Sequence, residues 1–152
     1  MPLPKIVTPR YELELPSTEE KITYRPFLVK EEKVLVIALE SEDNKQITNA
    51  IKTVIQSCII TKGIKVEKLP TFDIEYLFLN IRGKSVGEEI EVNIVCPDDK
   101  ETQVPVTIDL DDIQIQKNEN HSKQIKIDPT IMMEMKYPSL DQFIQNNFDF
   151  SD

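Results

Sequence analysis

The segment from Leu69 to Gly87 reads Leu-Pro-Thr-Phe-Asp-Ile-Glu-Tyr-Leu-Phe-Leu-Asn-Ile-Arg-Gly-Lys-Ser-Val-Gly, and it decides the fold of the chain. Its apolar residues recur every three or four positions, the spacing of one face of an α-helix. Thr71 is placed to cap this helix, and Gly87 is placed to end it. We expect the hydrophobic core to form around this central helix, with Leu77 and Phe78 inside it.

Two further helices are predicted upstream, joined by a short polar turn. The first covers Lys30 to Leu39. The second is capped by Asp43, and its apolar stripe ends at Cys58, which we interpret as a small buried hydrophobic residue. Helices joined by short turns pack as antiparallel pairs. The sequence therefore predicts a helical hairpin with the central helix lying across it.

Alternating apolar and polar residues predict antiparallel β-hairpins on both sides of the helices. One is expected between residues 11 and 24, and another, with one apolar and one polar face, between residues 89 and 110. A short strand at Ile125 and Ile127 and a short helix from Pro129 to Met135 follow. The predicted fold class is α+β: a helical hairpin plus a central helix packed with antiparallel β-hairpins, an extended N-terminal arm and a C-terminal tail.

The chain divides into three parts by composition. Residues 1–10 contain three prolines and are predicted to form an extended arm. Residues 11–116 are predicted to form the α+β core domain, and residues 117–152 a loop and a C-terminal docking tail.

Composition excludes several classes of function. The formal net charge of −9 argues against a nucleic-acid-binding surface, which needs clustered Lys and Arg. No apolar run approaches the roughly 18 residues of a membrane helix. The single histidine, His121, lies in a polar loop where we expect it to be solvated, and three glycines form no phosphate-binding loop. We therefore expect no catalytic residues, no metal and no cofactor.

Several residues are instead candidates for binding a protein partner. Arg82 and Lys84 have two interpretations: a local one, in which they stabilise the helix C-terminus, and a contact with an acidic surface of a neighbouring subunit. Aromatic and basic residues also occur in the loop after the second predicted strand and at the end of the chain. The candidate partner-binding residues are Arg25, Pro26, Phe27, Arg82, Lys84, Phe148 and Phe150.

A binding function of another kind stays open. Cys96 to Asp99 occupies the predicted tip of the second hairpin, and further carboxylates follow at Asp109, Asp111 and Asp112. Carboxylates and a thiol are ligands for divalent cations. The alternative function is therefore a small metal- or ligand-binding regulatory domain that uses this tip.

Four strings of residues resemble a known family. They are Tyr11-Glu-Leu-Glu-Leu-Pro-Ser-Thr18, Tyr24-Arg-Pro-Phe-Leu-Val-Lys-Glu-Glu-Lys33, Leu69-Pro-Thr-Phe-Asp-Ile-Glu-Tyr-Leu-Phe-Leu79 and Arg82-Gly-Lys-Ser-Val-Gly-Glu88. In this order they resemble the T-even-type bacteriophage baseplate hub and baseplate hub assembly protein family. The resemblance runs from about Tyr11 to Ile115.

The resemblance implies a structural subunit or assembly factor of a contractile phage tail baseplate, and not an enzyme. The implied partners are other phage baseplate or tail proteins, with a homo-oligomer as a further option, and neither nucleic acid nor membrane. The implied location is the host cytoplasm during assembly and then the virion.

Deleting Met1 to Pro9 is expected to leave the domain folded, because this arm has no periodic apolar face to bury. The deletion should weaken incorporation of the protein into its assembly. Circular dichroism and thermal melting test the first expectation, and particle yield tests the second. Unfolding of the truncated protein would show that the arm belongs to the core.

Overall fold

The computed structural model describes residues 8–118 and 121–143. Within them lie three α-helices, two short 3-10 helices and three two-stranded antiparallel sheets, an α+β fold as predicted. The strands are β1 (Tyr11–Glu14), β2 (Lys21–Tyr24), β3 (Glu89–Val95), β4 (Gln103–Asp109), β5 (Gln124–Lys126) and β6 (Met132–Glu134). The α-helices are α1 (Val29–Glu40), α2 (Asn44–Cys58) and α3 (Thr71–Val86), and the 3-10 helices are Val66–Lys68 and Leu110–Asp112.

The core forms around α3, as predicted, with Leu77 fully buried inside it, whereas Phe78 is only partly buried and packs against it. Ile74, Leu77 and Ile81 recur at intervals of three and four and are almost fully buried. They pack in one cluster with residues of the β1–β2 hairpin and of α2, which are Leu13, Leu15, Ile22, Tyr24, Val54, Ile55 and Cys58. Cys58 is fully buried, which confirms its interpretation as a core residue.

The helical hairpin is formed by α1 and α2. Asp43 caps α2 by accepting a hydrogen bond from the Lys45 amide at 2.9 Å, and Gln46 donates to the other carboxylate oxygen of Asp43. Ser41 ends α1, where its hydroxyl donates to the Ala38 carbonyl. No helix in the described part of the chain is both long and apolar enough to cross a membrane.

The two ends of α3 differ from the expectation in detail. Pro70 is the N-cap residue and Thr71 the first helical residue, so Thr71 does not cap the helix. Gly87 ends the helix with a φ of 132°, which L-residues with a side chain rarely adopt. Gly83 is helical instead, and a Cβ atom there would lie 3.4 Å from Leu110 Cδ1. Glycine at position 83 therefore allows Leu110 to pack closely against α3.

The β3–β4 hairpin has the expected register, with Ile90 opposite Ile108 and Val92 opposite Val106. Pro105 faces Asn93 in a two-stranded sheet, where both strands are edges and a missing amide donor is tolerated. The expected apolar face, however, is not buried against the core. Ile94 and Val104 are 50% and 44% exposed.

The predicted helix at Pro129 to Met135 is wrong, because this segment contains β6, which pairs with β5. The strand predicted at Ile125 is confirmed. Asp128 explains the difference, since its carboxylate accepts hydrogen bonds from the amides of Thr130 and Ile131. This Asx turn reverses the chain before a helix can start.

The chain returns to the core after β6. Leu140 is 7% exposed, packs in the core cluster, and donates its amide to the Leu69 carbonyl at 3.0 Å. A short helical turn covers residues 140–143, and Ser139 and Gln142 form a capping box at its start. The division of the chain into a core domain and a tail at residue 116 stays a prediction. Leu140 belongs to the predicted tail, yet its side chain packs in the core.

Replacing Leu77 with alanine is expected to lower the free energy of unfolding by about 2–5 kcal/mol, because the side chain is fully buried and its removal leaves a cavity. Leu39→Ala is the matched control: Leu39 is 62% exposed, and its truncation should cost well under about 1 kcal/mol. Urea denaturation measures both. Equal losses for the two variants would contradict the assignment of the core.

Candidate protein-interaction site

An apolar groove of about 350 Å³ lies between the three helices. We call it the three-helix groove. Its walls come from the loop before α1, from α1 and α2, and from the second half of α3. The lining residues are Phe27, Leu35, Ala38, Leu39, Ile47, Ile51, Phe78, Arg82 and Val86.

Arg82 is the only charged residue among those that line the groove. Its Nη1 atom is buried and has no hydrogen-bond partner among the described residues. A buried donor of a charged group without a partner is costly, so native structures seldom keep one uncompensated. Arg82 therefore gives the otherwise apolar lining of the groove a single cationic side chain.

The outward face of α1 is a second apolar surface, continuous with the groove through Leu39. The run from Val34 to Leu39 is entirely apolar, and at about 100° per residue its side chains point all around the helix. Ile37 is 66% exposed and Val36 is 48% exposed. Exposed apolar surface of this kind is typical of a site that another protein covers.

The guanidinium of Arg25 is engaged inside the protein. Its Nη2 atom lies 2.9 Å from Glu31 Oε1 and 3.0 Å from the Ser57 carbonyl, and Nη1 donates to the Pro26 carbonyl. Glu31 is 4% exposed and also accepts a hydrogen bond from the Leu28 amide. Burial raises the pKa of Glu31, but the hydrogen bonds from Arg25 and Leu28 outweigh this effect and hold the pKa below its ordinary value.

Phe27, the neighbour of Arg25 and Pro26, is held in place by its backbone. The Phe27 amide donates to the Ser85 hydroxyl at 2.9 Å, which ties the loop before α1 to the end of α3. The Phe27 side chain packs against the core cluster and lines the three-helix groove. The structure thus brings Phe27 and Arg82 to one place, although 54 intervening residues separate them in sequence.

Lys84 is separated from Arg82, although the sequence suggested one basic spot. Residues two positions apart on a helix point in nearly opposite directions. Lys84 pairs with Glu88 and with Asp111 at 3.5 Å, and its ammonium lies 5.9 Å from the centre of the Tyr11 ring. Phe148 and Phe150 lie outside the described residues.

Comparison with models of protein families matches residues 8–152 to the family described as T4 bacteriophage base plate protein. The chain belongs to this family. A search of curated proteins found no match, and a search of solved structures found none either. The match covers nearly the whole sequence and confirms the kind of family that the four strings of residues indicated.

For a base plate protein, the alternative of a metal-binding hairpin tip has little geometric basis. The described residues contain no group of three or more His, Cys, Asp or Glu side chains that is arranged to hold a metal ion. Asp99 is used by the turn itself, since its carboxylate accepts hydrogen bonds from the Glu101 and Thr102 amides. The hydrogen bond from the Thr102 hydroxyl, together with these two amide bonds, lowers the pKa of Asp99.

His121 has a partner, although it lies in an exposed loop as expected. Its ring stacks on Tyr137 with 5.8 Å between ring centres, and its Nε2 atom is hydrogen-bonded to the Tyr137 hydroxyl. Tyr137 in turn contacts Phe72 edge-to-face at 4.9 Å. The loop after residue 116 is thereby connected to the first turn of α3.

Asp73 is the structurally important residue that sequence reasoning missed. It lies in the first turn of α3, where an acidic side chain is ordinarily solvated, but it is fully buried and accepts hydrogen bonds from the amide and hydroxyl of Ser17. Burial raises the pKa of Asp73, and the bonds from Ser17 oppose this effect only in part. The sequence does place Ser17 in a turn, but this turn lies 56 residues from Asp73, and nothing in the sequence indicates that the two residues are bonded.

The Asp73→Asn variant is expected to gain free energy of unfolding relative to the wild type as the pH rises. The raised pKa means that the folded protein binds a proton at pH values between the ordinary 3.8 and the raised value. Wild-type stability therefore falls as the pH rises through this window, and asparagine removes this loss. Urea denaturation at pH 4 and pH 7 measures the difference.

The matched control is Glu75→Gln, the same chemical change at an exposed position on α3. Its stability difference from the wild type should change little with pH. An Asp73→Asn difference that is the same at pH 4 and pH 7 would show that Asp73 does not titrate in this way.

Proposed function

We propose that this base plate protein is a structural subunit or assembly factor of the hub region of a contractile tail, and that it acts through protein–protein contacts without catalysis. The observation that carries the proposal is the apolar outward face of α1, on which Ile37 is 66% exposed. Exposed apolar surface of this kind is typical of sites that bind another protein. Its position on a helix next to an apolar groove suits a partner helix.

The candidate nucleophile and the candidate base among the described residues, Cys58 and His121, are consistent with a non-catalytic role. Burial raises the pKa of the Cys58 thiol to about 11, so the thiol is protonated and unreactive at neutral pH. His121 lies in an exposed loop, where its Nε2 atom is hydrogen-bonded to the Tyr137 hydroxyl and its ring stacks on the Tyr137 ring.

The proposed partners are other baseplate or tail proteins, with self-association as a further option. We propose that the protein meets them in the host cytoplasm during assembly and stays with them in the tail baseplate. In this proposal residues 11–116 form the domain that presents α1, while residues 1–10 and 117–152 reach neighbouring subunits.

The candidate residues take different roles in this proposal. Phe27 and Arg82 belong to the contact surface, because both line the three-helix groove. Arg25 positions the start of α1 through its bond to Glu31, and Pro26 contributes its carbonyl to the same arrangement. Lys84 contributes through its ion pairs with Glu88 and Asp111, at the junction of α3 with the β3–β4 hairpin.

Ile37→Glu is expected to yield a folded protein that no longer enters the baseplate, because a carboxylate on the apolar face must be desolvated when a partner covers it. The measurement is complementation of phage that lack the wild-type protein, followed by quantification of the variant in purified tails. Incorporation should fall at least about tenfold, which corresponds to a loss of about 1.4 kcal/mol in binding.

Asn49→Glu is the matched control, since it adds the same charge at an exposed position of α2. Its incorporation and melting temperature should match those of the wild type. If Ile37→Glu entered tails at the wild-type level, the outward face of α1 would not be a contact surface, and the proposal would lose its main support.

A further inference from the structure

The β3–β4 hairpin has two outer edges, and the hydrogen bonds at its ends show which backbone groups face them. The Leu110 amide donates to the Glu88 carbonyl and the Cys96 amide to the Thr102 carbonyl, each at 2.8 Å. In an antiparallel pair, residues hydrogen-bonded to the partner strand alternate with residues whose backbone groups point away from it. In the register of this hairpin, the amides and carbonyls of the odd-numbered residues of β3 and β4 therefore point outward.

The outer edge of β4 is closed to another strand. Pro105 lies in the middle of β4 at one of the outward-pointing positions, where it has no amide to donate. Natural sheets use proline in this way to keep a further strand from pairing with an exposed edge. The position of Pro105 therefore leaves β3 as the edge of this hairpin that can accept a further strand.

The outer edge of β3 is open. No strand among the described residues pairs with it, and in that part of the chain the outward-pointing amides of Glu89, Glu91 and Asn93 have no hydrogen-bond partner. The sequence of β3 contains no proline, glycine or lysine that would hinder pairing. Its seven residues span about 23 Å. This edge is thus a template for one more strand of ordinary length.

The apolar face of the hairpin also favours a third strand. Ile94, Val104 and Ile108 are 50%, 44% and 39% exposed, although they lie on the face that the sequence pattern marks as apolar. A two-stranded sheet gains stability from a third strand that continues its apolar face, because more apolar surface is then removed from water. A strand added at β3 would place its own apolar side chains beside those of Ile90, Val92 and Ile94.

The other face of β3 selects the charge of the added strand. Glu89 and Glu91 are exposed there, and the cross-strand neighbour of Glu89 is Asp109. Basic side chains on an added strand would lie beside these carboxylates favourably, whereas acidic side chains would be repelled. A second copy of the chain is disfavoured, since each copy carries a net charge of −9. The occupant that fits this edge therefore alternates apolar and basic residues.

We propose that β3 accepts an extended segment of a partner protein as a third strand of the β3–β4 sheet, and that this segment alternates apolar residues with Lys or Arg. Its backbone bonds to the outward-pointing groups of Glu89, Glu91 and Asn93, in the manner of β-strand addition. Its apolar side chains extend the face formed by Val92 and Ile94, and its cations meet the two glutamates. This edge shares no residue with the outward face of α1, and its occupation does not depend on that contact.

The test uses the full-length protein and a synthetic peptide, acetyl-Lys-Val-Lys-Val-Lys-Val-Lys-amide, at low salt. Fluorescence anisotropy of the labelled peptide measures binding, and NMR measures hydrogen exchange of individual amides. The peptide is expected to bind saturably and to slow exchange of the Glu91 and Asn93 amides at least about tenfold, because both become hydrogen-bonded. The outward-pointing amide of Thr107 on β4 should be unaffected. The control peptide, acetyl-Val-Val-Val-Lys-Lys-Lys-Lys-amide, has the same composition without alternation and should give no protection.

Two proline substitutions distinguish the two edges. Glu91→Pro removes an outward-pointing amide from β3 without removing a hydrogen bond of the hairpin, and it should weaken peptide binding at least about tenfold. Thr107→Pro is the matched control, since it makes the same change at the position opposite Glu91 on β4, and binding should be unchanged. Circular dichroism checks that both variants are folded. Glu89→Lys with Glu91→Lys leaves the backbone edge intact and tests the charge separately, with a several-fold loss of binding expected.

The proposal is overturned if the alternating peptide does not bind, or if it binds equally well to Glu91→Pro. Protection of the Thr107 amide in place of the Glu91 amide would assign binding to the wrong edge and would also overturn it. Protection of the Glu91 amide in the free protein that grows with protein concentration would assign the edge to a second copy, against the proposal. The contact through α1 is tested separately by Ile37→Glu, so failure of one proposal is distinguishable from failure of the other.

Discussion

The position of α1 depends on the buried ion pair between Arg25 and Glu31. Only two residues of α1, Glu31 and Ala38, are buried, so apolar packing alone holds this helix weakly. Arg25 compensates for this weak packing, because its guanidinium is hydrogen-bonded both to Glu31 on α1 and to the Ser57 carbonyl at the end of α2. Glu31 also pairs with Lys30 at 3.3 Å and accepts a hydrogen bond from the Leu28 amide, so its buried carboxylate is held from three sides.

The rest of the interaction site follows from this placement. The Arg25 amide donates to the Cys58 carbonyl, and Tyr24 forms a β-bridge with Ile59, so the chain between β2 and α1 is fixed to the end of α2. With its first turn held there, α1 lies against α2 and leaves an apolar groove beside α3. The same placement turns Ile37 toward solvent and exposes an apolar surface on a protein of the base plate family.

A second polar contact fixes the other side of the core. The Asp73 carboxylate accepts two hydrogen bonds from Ser17, and this joins the turn of the β1–β2 hairpin to the first turn of α3. Satisfied buried polar groups of this kind define how elements meet, because any shift leaves a donor or acceptor without a partner. Between them, the Arg25 and Asp73 contacts connect the β1–β2 hairpin to all three helices.

The sequence by itself determined the elements and the family. Regular spacing of apolar residues predicted α2 and α3, and alternation predicted the hairpins, because these patterns depend only on the local geometry of the backbone. The helix predicted around Met132 failed for a local reason, since the Asx turn at Asp128 outweighed the helix propensity of the methionines. The strings from Tyr11 onward were enough to indicate the baseplate family.

Only the tertiary structure decided which polar residues are buried and which basic residues remain available to bind a partner. Asp73 and Ser17 are 56 residues apart, and no sequence period relates them. Arg82 and Lys84 are only two positions apart in the sequence. The helix nevertheless directs Arg82 into the groove and Lys84 toward Glu88 and Asp111. The reason is that burial and pairing depend on which elements approach in space, and that approach is set by contacts between distant parts of the chain.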